Sequence, residues 1–365
     1  MPSTDPIDLS LRTNSTYNFK ILSLDGGGLR AAFTAAFLDG LESILRETGQ
    51  LEPNESIASY FDLIAGTSTG GIIATALAMG RDAASILAFF QQQGPKVFDR
   101  QPRTKLRKTL QFLPDRVLGL FGQDTDSIMR AKYGSLPLDQ AITELLGSKT
   151  MADAKFRLIV PASRLTVGRP IVFRTAHLPG QIRDKQISAK DVAMATTATP
   201  MLFPPHRIEN PAQPGQYVDG GIWANHPGLL AFSDAMRISK LSSSEKSEFS
   251  VPSFSMDNIQ LLSIGNGQSP SSSEMPPEKA GLKTWLPRLM DHILTTQSQG
   301  THVMLRHMMA PGNYHRINFD HNGWKLDGID RLQTLIDLGH CEARNLSSRI
   351  PSTFFRSKAN QFTSL

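Results

Sequence analysis

The stretch Phe61-Asp62-Leu63-Ile64-Ala65-Gly66-Thr67-Ser68-Thr69-Gly70, followed by the Ala-rich run Ile72 to Met79, reads as a strand, a tight turn and a helix. Ser68 stands at the apex of the turn, inside a G-x-S-x-G pattern. A turn this sharp forces its central residue into a strained backbone conformation, and Gly66 and Gly70 let neighbouring segments pass close by. The serine hydroxyl is thereby pushed into the open at the end of a sheet, beside a helix N-terminus. A nucleophile is displayed in this way.

A second glycine cluster repeats the strand–turn–helix plan. Phe19-Lys20-Ile21-Leu22-Ser23-Leu24 has strand character, Asp25-Gly26-Gly27-Gly28-Leu29-Arg30 follows at once, and Phe33, Phe37, Leu41, Ile44 and Leu45 then share one helical face. Gly26, Gly27 and Gly28 at a helix N-terminus expose backbone N–H groups with no side chains in the way, and the positive end of the helix dipole adds to their attraction for an anion. For acyl transfer that anion is the tetrahedral oxyanion. The competing reading is a dinucleotide-binding turn, because Gly26-x-Gly28-x-x-Ala31 fits the loose fingerprint. That reading requires an acidic residue at the end of a second strand about 20 residues on. The region Glu47 to Asn54 has no strand pattern, so the oxyanion reading is favoured and no cofactor is expected.

The third element is Asp219-Gly220-Gly221, after Gln216-Tyr217-Val218. An aspartate at a strand end before two glycines is a common turn former. Beside the other two motifs, a base for the serine is the better reading, with Gly220 and Gly221 allowing close approach. A solvated carboxylate, with a pKa of about 3.9, is a poor base for a hydroxyl, so the site must desolvate it. An apolar, partly closed pocket around Ser68 and Asp219 is therefore expected.

Together, DGGGLR, GTSTG and DGG in this order resemble the patatin-like phospholipase family. The resemblance runs from Phe19 to Ile264 and includes Met194 to Pro200, Phe203-Pro204-Pro205 and the late strand Gln260 to Gly265. It implies a three-layer α/β fold, with a mainly parallel central sheet between helices. It also implies a Ser–Asp dyad in which Ser68 attacks and Asp219 is the base, with Gly26, Gly27 and Gly28 as the oxyanion hole. Arg30 matches the basic position of the glycine motif, and Ala31 departs from it by one methyl group. Chain length and the Tyr217 to Pro227 segment resemble bacterial antiphage effectors of this family, some of which degrade membrane lipid when a cyclic dinucleotide binds.

A full triad would need a histidine after Asp219. His226, His292, His302, His307, His315, His321 and His340 are available, none in a distinguishing motif, and His226 alone is near the Asp219 turn. No HExxH pattern or Cys/His cluster points to a metal.

With 365 residues, 40% of them hydrophobic, the chain can bury a sizeable core. The formal charge of +5 is too small to argue for nucleic acid as a partner, and is compatible with mild attraction to anionic lipid. The single Cys341 cannot form an internal disulfide, which suits a reducing cytoplasm. Met1 to Ser10 has no signal-peptide pattern, and no apolar run is long enough to span a bilayer. The expected organisation is a loose arm over residues 1–18 and a single catalytic domain over 19–365. A basic and apolar lid-like insertion falls at about 94–136, and a helical part begins at about 284. Strands are expected at Phe156 to Val160, Ile171 to Arg174 and Tyr314 to Phe319, a Ser188 helix cap before Pro200, and an exposed loop over Lys240 to Ser250. The function that emerges is a serine acyl hydrolase acting at a phospholipid surface, with a cyclic dinucleotide as a candidate activator. An acyltransferase and a non-catalytic lipid-binding module are the alternatives; oligomeric state is left open.

Overall fold

In the computed structural model the described residues are 17–99, 131–269, 282–346, 354–360 and 362. Their frame is an eight-stranded sheet. Strand β1 (Phe19–Leu24) pairs in parallel with β2 (Leu63–Gly66) on one side and with β7 (Ile259–Ile264) on the other; β7 continues in parallel to β8 (Tyr314–Ile317). β2 pairs in parallel with β3 (Arg157–Arg164), and the antiparallel margin consists of β4 (Arg169–Arg174), β5 (His206–Ile208) and β6 (Gly215–Asp219).

The sheet is buried on both faces, so its central strands are buried throughout and mostly apolar rather than alternating, with Lys20 and Ser23 of β1 and Gln260 and Ser263 of β7 as their buried polar members. Leu22, Leu24 and Ile64 pack on one face, with helices α1 (Ala32–Glu47), α2 (Thr69–Ala78), α3 (Ala83–Val97), α4 (Leu136–Leu146), α5 (Ala189–Thr197) and α8 (Leu332–Leu346). Phe19, Ile21, Leu63 and Ala65 face the other way, against Ala231, Phe232 and Ala235 of α6 (Gly228–Ser239) and Leu305 of α7 (Leu282–Met308). These are the three layers expected, with the sheet parallel at its centre and antiparallel at one margin.

Several local readings hold and two shift. Ser188 caps α5, accepting from the Asp191 N–H. The Lys240 to Ser250 loop contains a short helix, Ser243–Glu248, started by a reciprocal capping box between Ser242 and Glu245. Gly94, read as the edge of an insertion, lies inside α3, which continues through Pro95 to Val97. Residues 100–130, the body of that insertion, and residues 1–16 of the arm lie outside the described residues.

The register around β3 does most to assemble the site. β4 takes one edge of β3 from Ile159 to Arg164. β2 and β6 therefore share the other edge, β2 in parallel against Arg157 to Ile159 and β6 antiparallel against Ala162 to Arg164. Their C-terminal ends run toward each other and stop one short gap apart. Ser68 follows one end and Asp219 closes the other.

Candidate active site

The turn after β2 is built by close packing. A Cβ on Gly66 would lie 2.2 Å from the Gly70 carbonyl oxygen, and one on Gly70 would lie 2.4 Å from the Asp25 oxygen. Only glycine lets the start of α2 sit this near the ends of β1 and β2. Ser68 is left at φ 55° and ψ −129°, a left-handed conformation that costs a non-glycine residue about 1–3 kcal/mol. The Thr196 hydroxyl fastens the elbow: it accepts from the Ser68 N–H at 2.9 Å and donates to the Pro161 carbonyl at 2.6 Å.

The Ser68 hydroxyl donates to Asp219 Oδ2 at 2.6 Å. Thr199 donates to the same oxygen, also at 2.6 Å, and the Gly221 N–H donates to Oδ1 at 2.7 Å. A Cβ on Gly220 would strike the Pro161 carbonyl oxygen at 2.3 Å, so glycine there lets the Asp219 turn close against β3. Asp219 is buried, and desolvation pushes its carboxyl above the usual carboxylate range; the three hydrogen bonds pull the other way and do not cancel it. The pair thus has the separation and the raised basicity that proton transfer from a hydroxyl requires.

Beside Ser68 opens a pocket of about 480 Å³, counting the solvent space at its mouth, lined chiefly by Phe89, Phe90, Val97, Phe98, Leu202 and Phe203, with Gly28 and Thr199 also on its wall. This is the apolar enclosure that the desolvation argument called for.

The glycine loop borders the same cavity and is clamped from behind. Arg316 pairs with Asp25 through Nη2 and Oδ2 at 2.6 Å, and Asn266 donates to the Asp25 carbonyl at 2.5 Å. Leu29 donates to the Leu326 carbonyl at 2.6 Å, and Arg30, buried, pairs with Asp291 at 3.1 Å. Gly28 sits at φ +58°, where a Cβ would meet the Leu326 oxygen at 2.2 Å. The Gly26 N–H, expected among the oxyanion donors, is engaged: it donates to the Asn225 carbonyl at 3.1 Å. The N–H groups of Gly27 and Gly28 have no acceptor among the described residues, which leaves them as the open pair.

His226 does not join Ser68 and Asp219. It is buried behind the glycine loop, where Nε2 meets the Ser263 hydroxyl at 3.1 Å and Nδ1 accepts from the Gly228 N–H at 3.1 Å; burial pushes its pKa well down and keeps it neutral. No cluster of three metal-ligating side chains occurs among the described residues. Thr196, Thr199, Asn225, Asn266 and Arg316 carried no sequence signal of their own role. The first two do lie in the Met194 to Pro200 segment noted above.

Sheet, elbow and glycine loop together define a three-layer α/β protein with a serine at the apex of a strand–helix elbow. The family model described as Patatin-like phospholipase matches residues 22–232. The chain is 30% identical over 300 residues to a cGAMP-activated phospholipase of Pseudomonas aeruginosa, covering 82% of this chain and 78% of that one. It is 32% identical over 269 residues to a cGAMP-activated phospholipase of Vibrio cholerae, with 73% and 69% covered. With Patatin-like protein 1 of Arabidopsis thaliana it shares 29% over 283 residues, with 73% and 64% covered. The chain belongs to the patatin-like phospholipase family, as its three motifs implied.

Proposed function

We propose that this protein hydrolyses fatty-acyl esters of membrane phospholipids through a Ser68–Asp219 dyad. The observation that carries the reading is the 2.6 Å contact of Ser68 Oγ, on the wall of an apolar pocket, with a buried carboxylate. A fatty-acyl chain fits that cavity by its chemistry, and the ester carbonyl then falls beside the serine.

In this mechanism Ser68 Oγ attacks the carbonyl carbon as its proton passes to Asp219. The oxyanion is held by the N–H groups of Gly27 and Gly28, helped by the helix that follows them. Collapse breaks the ester bond, and the leaving alcohol of the lysolipid takes the proton from Asp219. Water then attacks the acyl-serine as Asp219 takes its proton; collapse breaks the acyl–Oγ bond, Asp219 passes the proton to Ser68 Oγ, and the fatty acid leaves. Thr199 and Gly221 hold the carboxylate with its free lone pairs toward the hydroxyl.

Activation by a cyclic dinucleotide belongs to the same reading and rests on the relatives described as cGAMP-activated phospholipases. The basic segment Arg103 to Lys108, part of the insertion at about 94–136, lies outside the described residues. Mass spectrometry of phospholipid vesicles incubated with wild-type protein and with Ser68→Ala, each with and without cyclic GMP–AMP, tests both parts. Lysolipid and free fatty acid are expected from the wild type alone. Product from Ser68→Ala at the wild-type rate refutes the dyad, and equal wild-type rates with and without nucleotide refute gating.

A further inference from the structure

The loop that follows β8 touches two sides of the Ser68 pocket at once. On one side it holds the glycine motif. The Leu326 carbonyl accepts from the Leu29 N–H at 2.6 Å, and the Trp324 carbonyl accepts from Arg30 Nη1 at 3.3 Å. Leu326 packs so closely on Gly28 that a Cβ there would lie 2.2 Å from its carbonyl oxygen. Gly28 and Leu29 both line the pocket.

On the other side the next residue, Asp327, holds the aromatic wall. Its Oδ2 accepts from the Tyr133 hydroxyl at 2.8 Å and pairs with the Lys132 ammonium, and its side chain is only 8% exposed. Tyr133 packs on Phe98 and Phe203, with ring centroids 5.4 and 5.9 Å away, and its N–H donates to the Leu202 carbonyl at 2.8 Å. Phe98, Leu202 and Phe203 line the pocket.

The two holds move together. The Leu326 carbonyl and the Asp327 N–H belong to one planar peptide unit, so a shift of Asp327 turns the carbonyl. That carbonyl orients the Leu29 N–H and with it the Gly28–Leu29 peptide, and Gly28 carries one of the two open amides. Pinning a surface loop needs no more than a cation such as Lys132. The Tyr133 bond does something else, because its ring is packed against the wall that an acyl chain would touch.

We propose that Asp327 is a positioning residue that couples the acyl pocket to the oxyanion amides. A long acyl chain braces Phe98 and Phe203, Tyr133 and Asp327 transmit the brace, and the Leu326 carbonyl keeps Gly27 and Gly28 on aim. Remote binding is thereby expressed in kcat and not only in KM. The effect on acyl chains rests on the hydrolase reading above; the link between Asp327 and the glycine loop does not.

Two measurements on the full chain, with cyclic GMP–AMP present, test the coupling. Turnover of the butyrate and octanoate esters of 4-nitrophenol gives kcat and KM for a short and a long chain. Wild-type kcat is expected to be higher for octanoate. Asp327→Ala is expected to lower octanoate kcat by about tenfold, less than outright loss of an oxyanion donor, and to draw the octanoate-to-butyrate kcat ratio toward unity. KM should change by less than about twofold. Tyr133→Phe keeps the rings packed and removes only the bond to Asp327, and is expected to move the ratio in the same direction. The second measurement is hydrogen exchange read by mass spectrometry. Amides of Gly26 to Ala31 are expected to exchange about tenfold faster in Asp327→Ala, while those of α2 keep the wild-type rate. A wild-type kcat no higher for octanoate, equal proportional losses on the two esters in either folded variant, or unchanged exchange at Gly26 to Ala31 would each overturn the proposal. Wild-type protein that cleaves neither ester would overturn the hydrolase reading, and exchange alone would then decide the link.

Discussion

Ser68 and Asp219 lie 151 positions apart in sequence, and their side chains meet at 2.6 Å because β2 and β6 approach end to end along one edge of β3. The contact is set by strand register, not by a flexible loop. It survives only if the backbone holds Ser68 in its strained conformation, which the Thr196 bridge to Pro161 does. Replacing Ser68 by Ala is expected to lower ester turnover by about 10⁴-fold or more while keeping the fold, since the hydroxyl makes a single hydrogen bond among the described residues. Circular dichroism and turnover of a short-chain ester check the two halves of that statement.

In the proposed dyad Asp219 has to be ionised to accept the proton, and burial raises its pKa. The acid limb of the kcat/KM profile is therefore expected above the ordinary carboxylate range. Thr199→Val removes a hydrogen bond that favours the charged form, a loss of about 1.5 kcal/mol, and should move the limb up by about one pH unit. A limb unmoved in Thr199→Val would argue against Asp219 as its source.

The same desolvation has a stability consequence with a definite sign. A carboxyl whose pKa is higher folded than unfolded binds its proton more tightly when folded. Its contribution to stability is thus present below the unfolded pKa and is lost as pH rises through the folded value. Asp219→Asn abolishes that loss and remains hydrogen-bonded: its oxygen can accept from Gly221, its amide can donate to Ser68, and Thr199 can turn to the Thr197 carbonyl it already approaches at 3.3 Å. Asp219→Asn should be inactive, and should unfold at a higher temperature than wild type at pH 8, with the difference shrinking toward pH 4. Scanning calorimetry at the two pH values decides it; a variant less stable than wild type at pH 8 contradicts the argument.

The glycine loop is a geometric device and tolerates little. Gly28→Ala places a methyl group on the Leu326 carbonyl at a left-handed φ, so the loop must shift. Loss of one oxyanion donor costs about 10²–10³ in kcat. The expected outcome is a fall of that size in kcat, with a destabilisation of about 1–3 kcal/mol. Stopped assays and urea unfolding measure the two effects.

The clamp behind the loop gives a gentler test. Asn266 donates to the Asp25 carbonyl and accepts from Thr34 at 2.7 Å. Asn266→Ala removes both and leaves a buried acceptor unpaired, which costs about 1–3 kcal/mol of stability. It touches no proposed reacting atom, so a drop in kcat larger than the drop in substrate affinity would show that the Gly27 and Gly28 amides have lost their aim.

The local plan was written in the sequence, because it depends on near neighbours. Strand Phe19 to Leu24, its three glycines and the helical face of Phe33 and Phe37 follow from apolar periodicity and from the absence of side chains where the backbone must turn. The same holds for the Ser68 elbow and the Ser188 cap; the Ser242–Glu245 capping box is equally local, but that stretch was read as a loop. The apolar enclosure was legible too, as a demand of the chemistry on Asp219. Tertiary structure alone decided which side chains share that enclosure. Thr199 lies 20 positions from Asp219 and becomes its partner only when α5 and β6 pack. Arg316, 291 positions from Asp25, reaches the glycine loop only because β8 joins the sheet beyond β7. Likewise Gly26 loses its free N–H, and His226 is taken out of the proton path, by contacts between segments far apart in the chain. Residue type and spacing fix what a segment can offer; the order and register of the strands fix which offers meet, since distance in space between remote segments has no counterpart in local sequence.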